Sequence, residues 1–241
     1  MDRQTILQQW VDESRSIVFF GGAGVSTESG IPDFRSTDGL YRQTYAYPPE
    51  TILSRTFFDQ HPAEFFQFYR AKMLAPDAKP NAAHSMLADL EQAGRLLAVV
   101  TQNIDGLHQK AGSRHVYELH GSVLRNTCQD CGRRYSLDEI LRTSGIPLCS
   151  CGGIIKPDVV LYEEPLDESI LSGAIRSIEQ ADLLIVGGTS LSVYPAAGLL
   201  RYFRGERLVL INRDPTPYDQ NAALLIQEPI GRVLGNLRVP S

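Results

Sequence analysis

His120 is the residue best placed to move a proton. It follows the short run Val116-Tyr117-Glu118-Leu119 and precedes Gly121. An imidazole with an ordinary pKa of ~6.5 takes up a proton near neutral pH. Asn103 and Asp105 come just after a second apolar run, Leu96 to Thr101. Their amide and carboxylate can hold a sugar hydroxyl; capping the helix that starts near residue 104 is the simpler use. A third run, Ile17 to Phe20, ends in Gly21-Gly22-Ala23-Gly24-Val25-Ser26. A glycine corner after a strand lets a pyrophosphate approach backbone N–H groups. Arg35 offers a guanidinium fork for phosphate or a loop salt bridge. Asn212, at the end of a later apolar run, offers a ribose contact. His61 and His84 sit in helical patterns and read as structural. His108 and His115 flank a turn and read as surface residues.

The cysteines form a separate constellation. All four lie in one stretch, as Cys128-Gln129-Asp130-Cys131 and Cys149-Ser150-Cys151. Four thiolates at this spacing suit tetrahedral zinc, although the second pair is one residue tighter than usual. With four sulfur ligands no position stays open for water, so the expected role is structural. The metal would replace a core that a short polar insert cannot build.

These residues need a frame. Apolar strands are expected at 16–20, 96–101, 116–120, 183–188 and 207–212, with a last short one at 222–226. Helices are expected at 5–14, at 81–93 with Asn81 as cap, around 174–179, at 196–202 and at 230–237. Fully apolar strands alternating with helices give a parallel sheet covered on both faces. The expected fold is therefore α/β, with a Rossmann-like parallel sheet. Two inserts would add a smaller zinc-binding and helical domain. The large domain takes residues 1–35, 81–121 and 157–241. The helical insert takes 36–80, including an aromatic-rich helical pair from Phe57 to Leu74 broken near Pro62. The zinc insert takes 122–156. In such sheets ligands sit beyond the C-terminal strand ends. Every strand end here delivers small or polar residues, which describes a crevice the size of a dinucleotide. The usual acidic ribose partner about 20 residues past the glycines has no clear counterpart, so hydride transfer fits poorly. Val159-Val160-Leu161-Tyr162 forms an extended apolar stretch, either a linker strand or an edge able to accept a peptide backbone.

Composition narrows the class. A net charge of −5 does not suit a nucleic-acid binder. No apolar run reaches the ~18 residues of a membrane span. The N-terminal residues lack the basic-then-apolar pattern of a secretory leader, and the expected location is cytoplasmic. No exposed apolar stripe is evident, so a monomer is expected.

The ordered set resembles the sirtuin family of NAD-dependent protein deacylases. It comprises Gly22-Ala23-Gly24-Val25-Ser26, Ser29-Gly30-Ile31-Pro32-Asp33-Phe34-Arg35, Thr101-Gln102-Asn103-Ile104-Asp105, His120-Gly121, the four cysteines, Gly188-Thr189-Ser190-Leu191 and Ile211-Asn212. The resemblance covers nearly the whole chain. It implies removal of acetyl groups from acetyl-lysine in proteins or peptides, with release of nicotinamide and O-acetyl-ADP-ribose. It implies NAD and structural zinc as cofactors and His120 as general base, with Asn103 and Asp105 holding the ribose and nicotinamide environment. Gln102 would touch the ribose. Ala23, Thr27, Phe34 and Arg35 would line the cofactor, with Phe34 shielding the reactive sugar carbon. Thr189 and Ser190 would serve phosphate and adenosine ribose, and Asn212 the adenosine side. The same carry-over adds Gly22, Gly24, Asp33, Ile104, Gly188 and Ile230 to the cofactor site. Val159, Val160, Leu161 and Tyr162 would meet the peptide. Tyr69 and Lys72 match a Tyr/Arg pair that family members acting on acidic acyl groups carry, with Lys in place of Arg. Glu163-Glu164 stands where many members read Gly-Glu. The alternatives are ADP-ribosyl transfer to protein, removal of longer or acidic acyl groups, nucleotide sensing without catalysis, and dehydrogenation.

Overall fold

The structure, a computed structural model, describes residues 2–34, 39 and 45–240. In chain order it begins with α1 (Arg3–Glu13), β1 (Ile17–Gly21), α2 (Pro49–Ile52), α3 (Arg55–Gln60) and α4 (Pro62–Phe68). There follow α5 (Ala82–Gln92), β2 (Leu96–Thr101), α6 (Leu107–Ala111), β3 (Val116–Glu118), β4 (Gly121–Cys128) and β5 (Arg134–Ser136). The rest is α7 (Leu137–Leu141), β6 (Ile155–Val159), α8 (Glu168–Gln180), β7 (Leu183–Gly187), β8 (Arg207–Ile211), β9 (Leu224–Ile226) and α9 (Ile230–Gly235). No helix among the described residues is long and apolar enough to cross a membrane.

Six strands form one sheet in the order β3-β2-β1-β7-β8-β9, and every pairing in it is parallel. This is the doubly wound order, which reverses between β1 and β7. The central strands β1 and β7 carry no polar side chain and are buried at every position, because both faces are covered. Ile17 and Phe19 of β1 join the core under α1, α5 and α9. Val18 and Phe20 join the opposite core, under α8 and the 3-10 helix Ala196–Tyr202. Asn81 caps α5 as expected, its side chain accepting from the Ala83 N–H.

A second sheet, β5-β4-β6, is antiparallel. A third core joins the aromatic helical segment to it, with Phe57, Phe58, Phe65, Phe66 and Tyr69 packed with Val123, Leu137, Val159 and Leu161. The two inserts therefore share one set of buried side chains.

One expectation is corrected here. His108 is 1 % exposed rather than on the surface. Its ring lies 4.7 Å from that of His84 and 6.1 Å from Phe19. Burial pushes the His108 pKa down to about 3 and that of His84 down to about 4. Both are neutral in the folded chain at pH 7. In the unfolded chain they take up protons below pH ~6.5. Stability is then constant above that pH and falls as pH drops towards 4, by up to about 1.4 kcal/mol per unit for each histidine. Urea midpoints at pH 7, 5.5 and 4.5 check this. His108→Phe is expected to flatten the dependence; equal slopes in both proteins would exclude His108 as the titrating group.

Candidate active site

The sheet order reverses where β1 and β7 lie side by side, and the glycine corner is built there. The Gly24 N–H donates to the Gly188 carbonyl at 2.8 Å. A Cβ on Gly24 would stand 2.8 Å from the Gly188 Cα. Gly188 itself has φ +60°, a region that favours glycine. Two loops can cross this closely only without side chains, and the crossing is tied by backbone bonds, the Gly188 N–H donating in turn to the Ile211 carbonyl.

Around this crossing opens a cavity of about 760 Å³, of the size that holds a small organic ligand. It is lined by Gly22, Ala23, Gly24, Thr27, Asp33 and Phe34 from the first corner. Gln102, Asn103, Ile104, Asp105 and His120 come from the ends of β2 and β3, and Gly188, Thr189, Ser190 and Asn212 from β7 and β8. Ile230, Val159, Val160, Leu161, Tyr162 and Lys72 complete the predicted set. Arg35 lies outside the described residues. Tyr69 departs from expectation. It is 1 % exposed, stacks on Phe65 and does not line the cavity among the described residues. Burial pushes its phenol pKa up. The aromatic core claims the ring because it is among the largest apolar surfaces the small module can bury.

The polar groups form two relays. Asn103 Nδ2 donates to Ser26 Oγ at 3.1 Å, and the Ser26 hydroxyl donates to Asp105 Oδ2 at 2.7 Å. Asp105 Oδ1 meanwhile accepts from the Leu107 N–H. Asp105 thus caps α6 with one oxygen and serves the relay with the other. In the second relay Gln102 Nε2 donates to Thr189 Oγ1 at 3.0 Å, and the Thr189 N–H donates to Asn212 Oδ1 at 3.0 Å. Asn212 Nδ2 is buried and has no partner among the described residues. A buried donor left over costs free energy unless a ligand takes it, so this amide fits a nucleotide oxygen or ring nitrogen.

His120 Nδ1 lies 3.0 Å from the Gln102 carbonyl. A carbonyl only accepts, so Nδ1 carries the proton and Nε2 keeps its lone pair. Burial lowers the His120 pKa, and the bond to Gln102 offsets only part of that. The ring is neutral at pH 7, in the form a general base needs.

Sequence reasoning missed three groups. Ser26, the last residue of the glycine corner, joins Asn103 to Asp105. Glu28 lines the cavity and accepts the Gly231 N–H at the start of α9. Val193, Tyr194 and Pro195 add a further wall. No local pattern flags these, because each partner lies tens of residues away or more.

The four cysteine sulfurs lie within 4.8 Å of one another. Cys128 and Cys151 sulfurs are 3.5 Å apart, and those of Cys131 and Cys149 3.6 Å. Tetrahedral zinc with ~2.3 Å bonds wants sulfurs roughly 3.8 Å apart, so the cradle fits. The Cys151 N–H and the Tyr135 hydroxyl hold the Cys149 thiol down to about 6. The Gly153 N–H favours the Cys151 thiolate, but the neighbouring sulfurs outweigh it and push that thiol up to about 12. A cation is what would let all four ionise together.

Fold and site together define a dinucleotide-binding α/β protein with a basic histidine in the cofactor crevice and a four-cysteine metal module beside it. The chain belongs to the Sir2 family, whose model matches residues 22–195. It is 60% identical over 238 residues to an NAD-dependent protein deacetylase of Clostridium acetobutylicum, covering 97% of each chain. It is 44% identical over 233 residues to one of Staphylococcus aureus, covering 96% of each. Among solved structures it resembles a Sir2 histidine-to-alanine variant with deacetylated p53 peptide and 3′-O-acetyl ADP-ribose. The TM-score there is 0.90 at 38% identity, covering 97% of this chain and 96% of that one. A Sir2 complex with p53 peptide and NAD+ gives 0.83 at 42% identity, covering 97% and 96%.

Proposed function

We propose that this protein removes acetyl groups from lysine side chains of proteins in an NAD-dependent reaction. The products are nicotinamide, O-acetyl-ADP-ribose and the free lysine. One observation carries the reading: the neutral His120 and the Asn103–Ser26–Asp105 relay open on the same cavity as the glycine crossing. When bound, NAD supplies an electrophilic ribose carbon and nicotinamide as leaving group.

The chain's own residues would divide the work. The backbone of the Gly22–Gly24 corner, with Thr27, Thr189 and Ser190, receives the pyrophosphate and adenosine ribose. Asn212 receives the adenosine side, with Ile230 as an apolar wall. Gln102, Asn103, Ile104 and Asp105 position the nicotinamide ribose. His120 Nε2 draws a proton from a ribose hydroxyl. Asp33 and Phe34 close the site, and the Phe34 ring keeps water from the sugar carbon, which favours the acyl oxygen as nucleophile. Val159–Tyr162 guides the peptide, with Lys72 beside the acyl end. The division into a large module (1–35, 81–121 and 157–241) and a small one (36–80 and 122–156) is part of the same proposal. The shared aromatic core of the two inserts supports it. The four cysteines would hold zinc as scaffold, since no ligand position is left for water.

The test is nicotinamide release from NAD with an acetyl peptide, its succinyl version, or no peptide. Release is expected to depend on peptide and to be at least ~10-fold faster with acetyl. A lone lysine ammonium cannot grip a carboxylate as the two-pronged guanidinium does. A faster succinyl reaction overturns the acyl preference. Peptide-independent release with label on protein would point to ADP-ribosyl transfer instead.

A further inference from the structure

The stretch Val159–Tyr162, which read as either a linker strand or a peptide-accepting edge, has most of its backbone groups taken by its own chain. The Val160 N–H donates to the His120 carbonyl, and the Tyr162 N–H to the Leu53 carbonyl. The Tyr162 carbonyl accepts from the Arg55 N–H, and the Leu161 carbonyl from the Glu164 N–H. The Leu161 N–H donates to the Glu164 carboxylate at 2.8 Å. The Val159 carbonyl accepts from Lys156 Nζ at 2.9 Å. Among the described residues, the carbonyl of Val160 has no partner.

Two carboxylates hold the turn that follows. Glu164 also receives Lys156 Nζ at 3.1 Å and Arg55 Nη1 at 3.4 Å. Lys156 is only 7 % exposed and also donates to the Pro157 carbonyl. Glu163 has φ +77°, a backbone region that side-chain-bearing residues rarely adopt. Its carboxylate accepts from both the N–H and the hydroxyl of Thr56 in the first turn of α3. A buried ion pair is weak support for stability as such. Its use here is to fix a backbone.

We propose that Lys156 and Glu164 are positioning residues for the acyl peptide. Together they pin Val159–Tyr162 so that the Val160 carbonyl is presented to a substrate N–H, while Glu163 ties the same turn to α3. The inference rests on the deacetylase reading above. Neither side chain acts on the reacting atoms, so the effect falls on peptide binding. NAD binding and turnover at saturation are left alone.

The experiment uses the full zinc-loaded chain, an acetyl-lysine peptide carrying a fluorophore, and NAD. Peptide affinity is read by anisotropy and turnover by nicotinamide release. Glu164→Gln is expected to weaken peptide binding and raise peptide KM about 10-fold, with NAD KM and kcat within about twofold. The double variant Lys156→Met, Glu164→Leu removes both charges at once. Its melting temperature is expected to recover relative to Lys156→Met alone, while peptide KM stays high. That split separates positioning from folding, and the double variant serves if Glu164→Gln does not fold. Wild-type peptide affinity in either folded variant overturns the proposal. A wild type that binds peptide but releases no nicotinamide overturns the enzymatic reading alone, since anisotropy still reads the clamp.

Discussion

His120→Ala is expected to slow peptide-dependent nicotinamide release by ~10²–10⁴-fold, the usual worth of a positioned general base. Fold and zinc content should be unchanged. The His120 imidazole makes one hydrogen bond to a backbone carbonyl and is half-buried, so little packing is lost. NAD affinity should change by no more than a few-fold, because the glycine crossing and the Gln102–Thr189–Asn212 relay are intact in the variant. The pH profile gives an independent check. Burial stabilises the neutral ring, so the folded pKa lies below the ordinary ~6.5. Below that folded pKa His120 is protonated and cannot act as base; above it the base is present. The acid limb of wild-type kcat/KM should therefore have its midpoint under pH ~6.5. A midpoint well above this, or an alanine variant with near-normal rate, would remove His120 from the role.

Removing the metal is expected to have the second largest effect. The cysteine region has a small core of its own: Cys128, Ile140, Cys149 and Ile155, with Tyr135 packed against them. Two buried isoleucines, at ~1.5–3 kcal/mol each, do not offset the cost of ordering the loops around them. Bound zinc is worth ~10 kcal/mol or more in small structural sites. Cys149→Ser, or prolonged chelation, should lower the melting temperature by more than about 10 °C and expose the 128–151 segment to proteolysis. Peptide-dependent activity should fall further than NAD binding. The reason is the path of the chain. β4 begins at Gly121, next to His120, and pairs with β6 as far as Val159, so the metal anchors the far end of the hairpin that carries the peptide stretch. One zinc per chain is expected by elemental analysis. A metal-free protein with unchanged melting behaviour would sink this account.

Much of the fold was legible because it rests on local rules. Ile17–Phe20, Leu96–Val100 and Leu183–Val186 are apolar at every position, and such runs bounded by glycine or polar residues have few options besides buried parallel strands. Asn81 before a helical pattern gave the start of α5, and Pro62 the break between α3 and α4. The residues that line the cavity followed, because strand ends in this architecture converge. Side chains whose partners lie far away in the chain were the ones misplaced. His108 looked like a surface residue after a turn, yet Phe19 and His84 bury it. Tyr69 matched a substrate position by spacing, yet the aromatic core takes it. Val159–Tyr162 read as either a linker strand or an open edge, and residues 53–55, His120, Lys156 and Glu164 take most of its backbone groups.

By itself the sequence determined the doubly wound sheet, the glycine corner, the histidine proposed as base and the four clustered cysteines. Each of these is written in residue type and short-range spacing. Only the tertiary structure decided the Gly24–Gly188 crossing, the Ser26 link between Asn103 and Asp105, the orphaned Asn212 amide and the Lys156–Glu164 clamp on the peptide stretch. Periodicity and composition specify which face of an element is buried. They do not specify which distant group meets it, and hydrogen bonds of about 3 Å are settled only when packing has fixed the elements to within a fraction of that length.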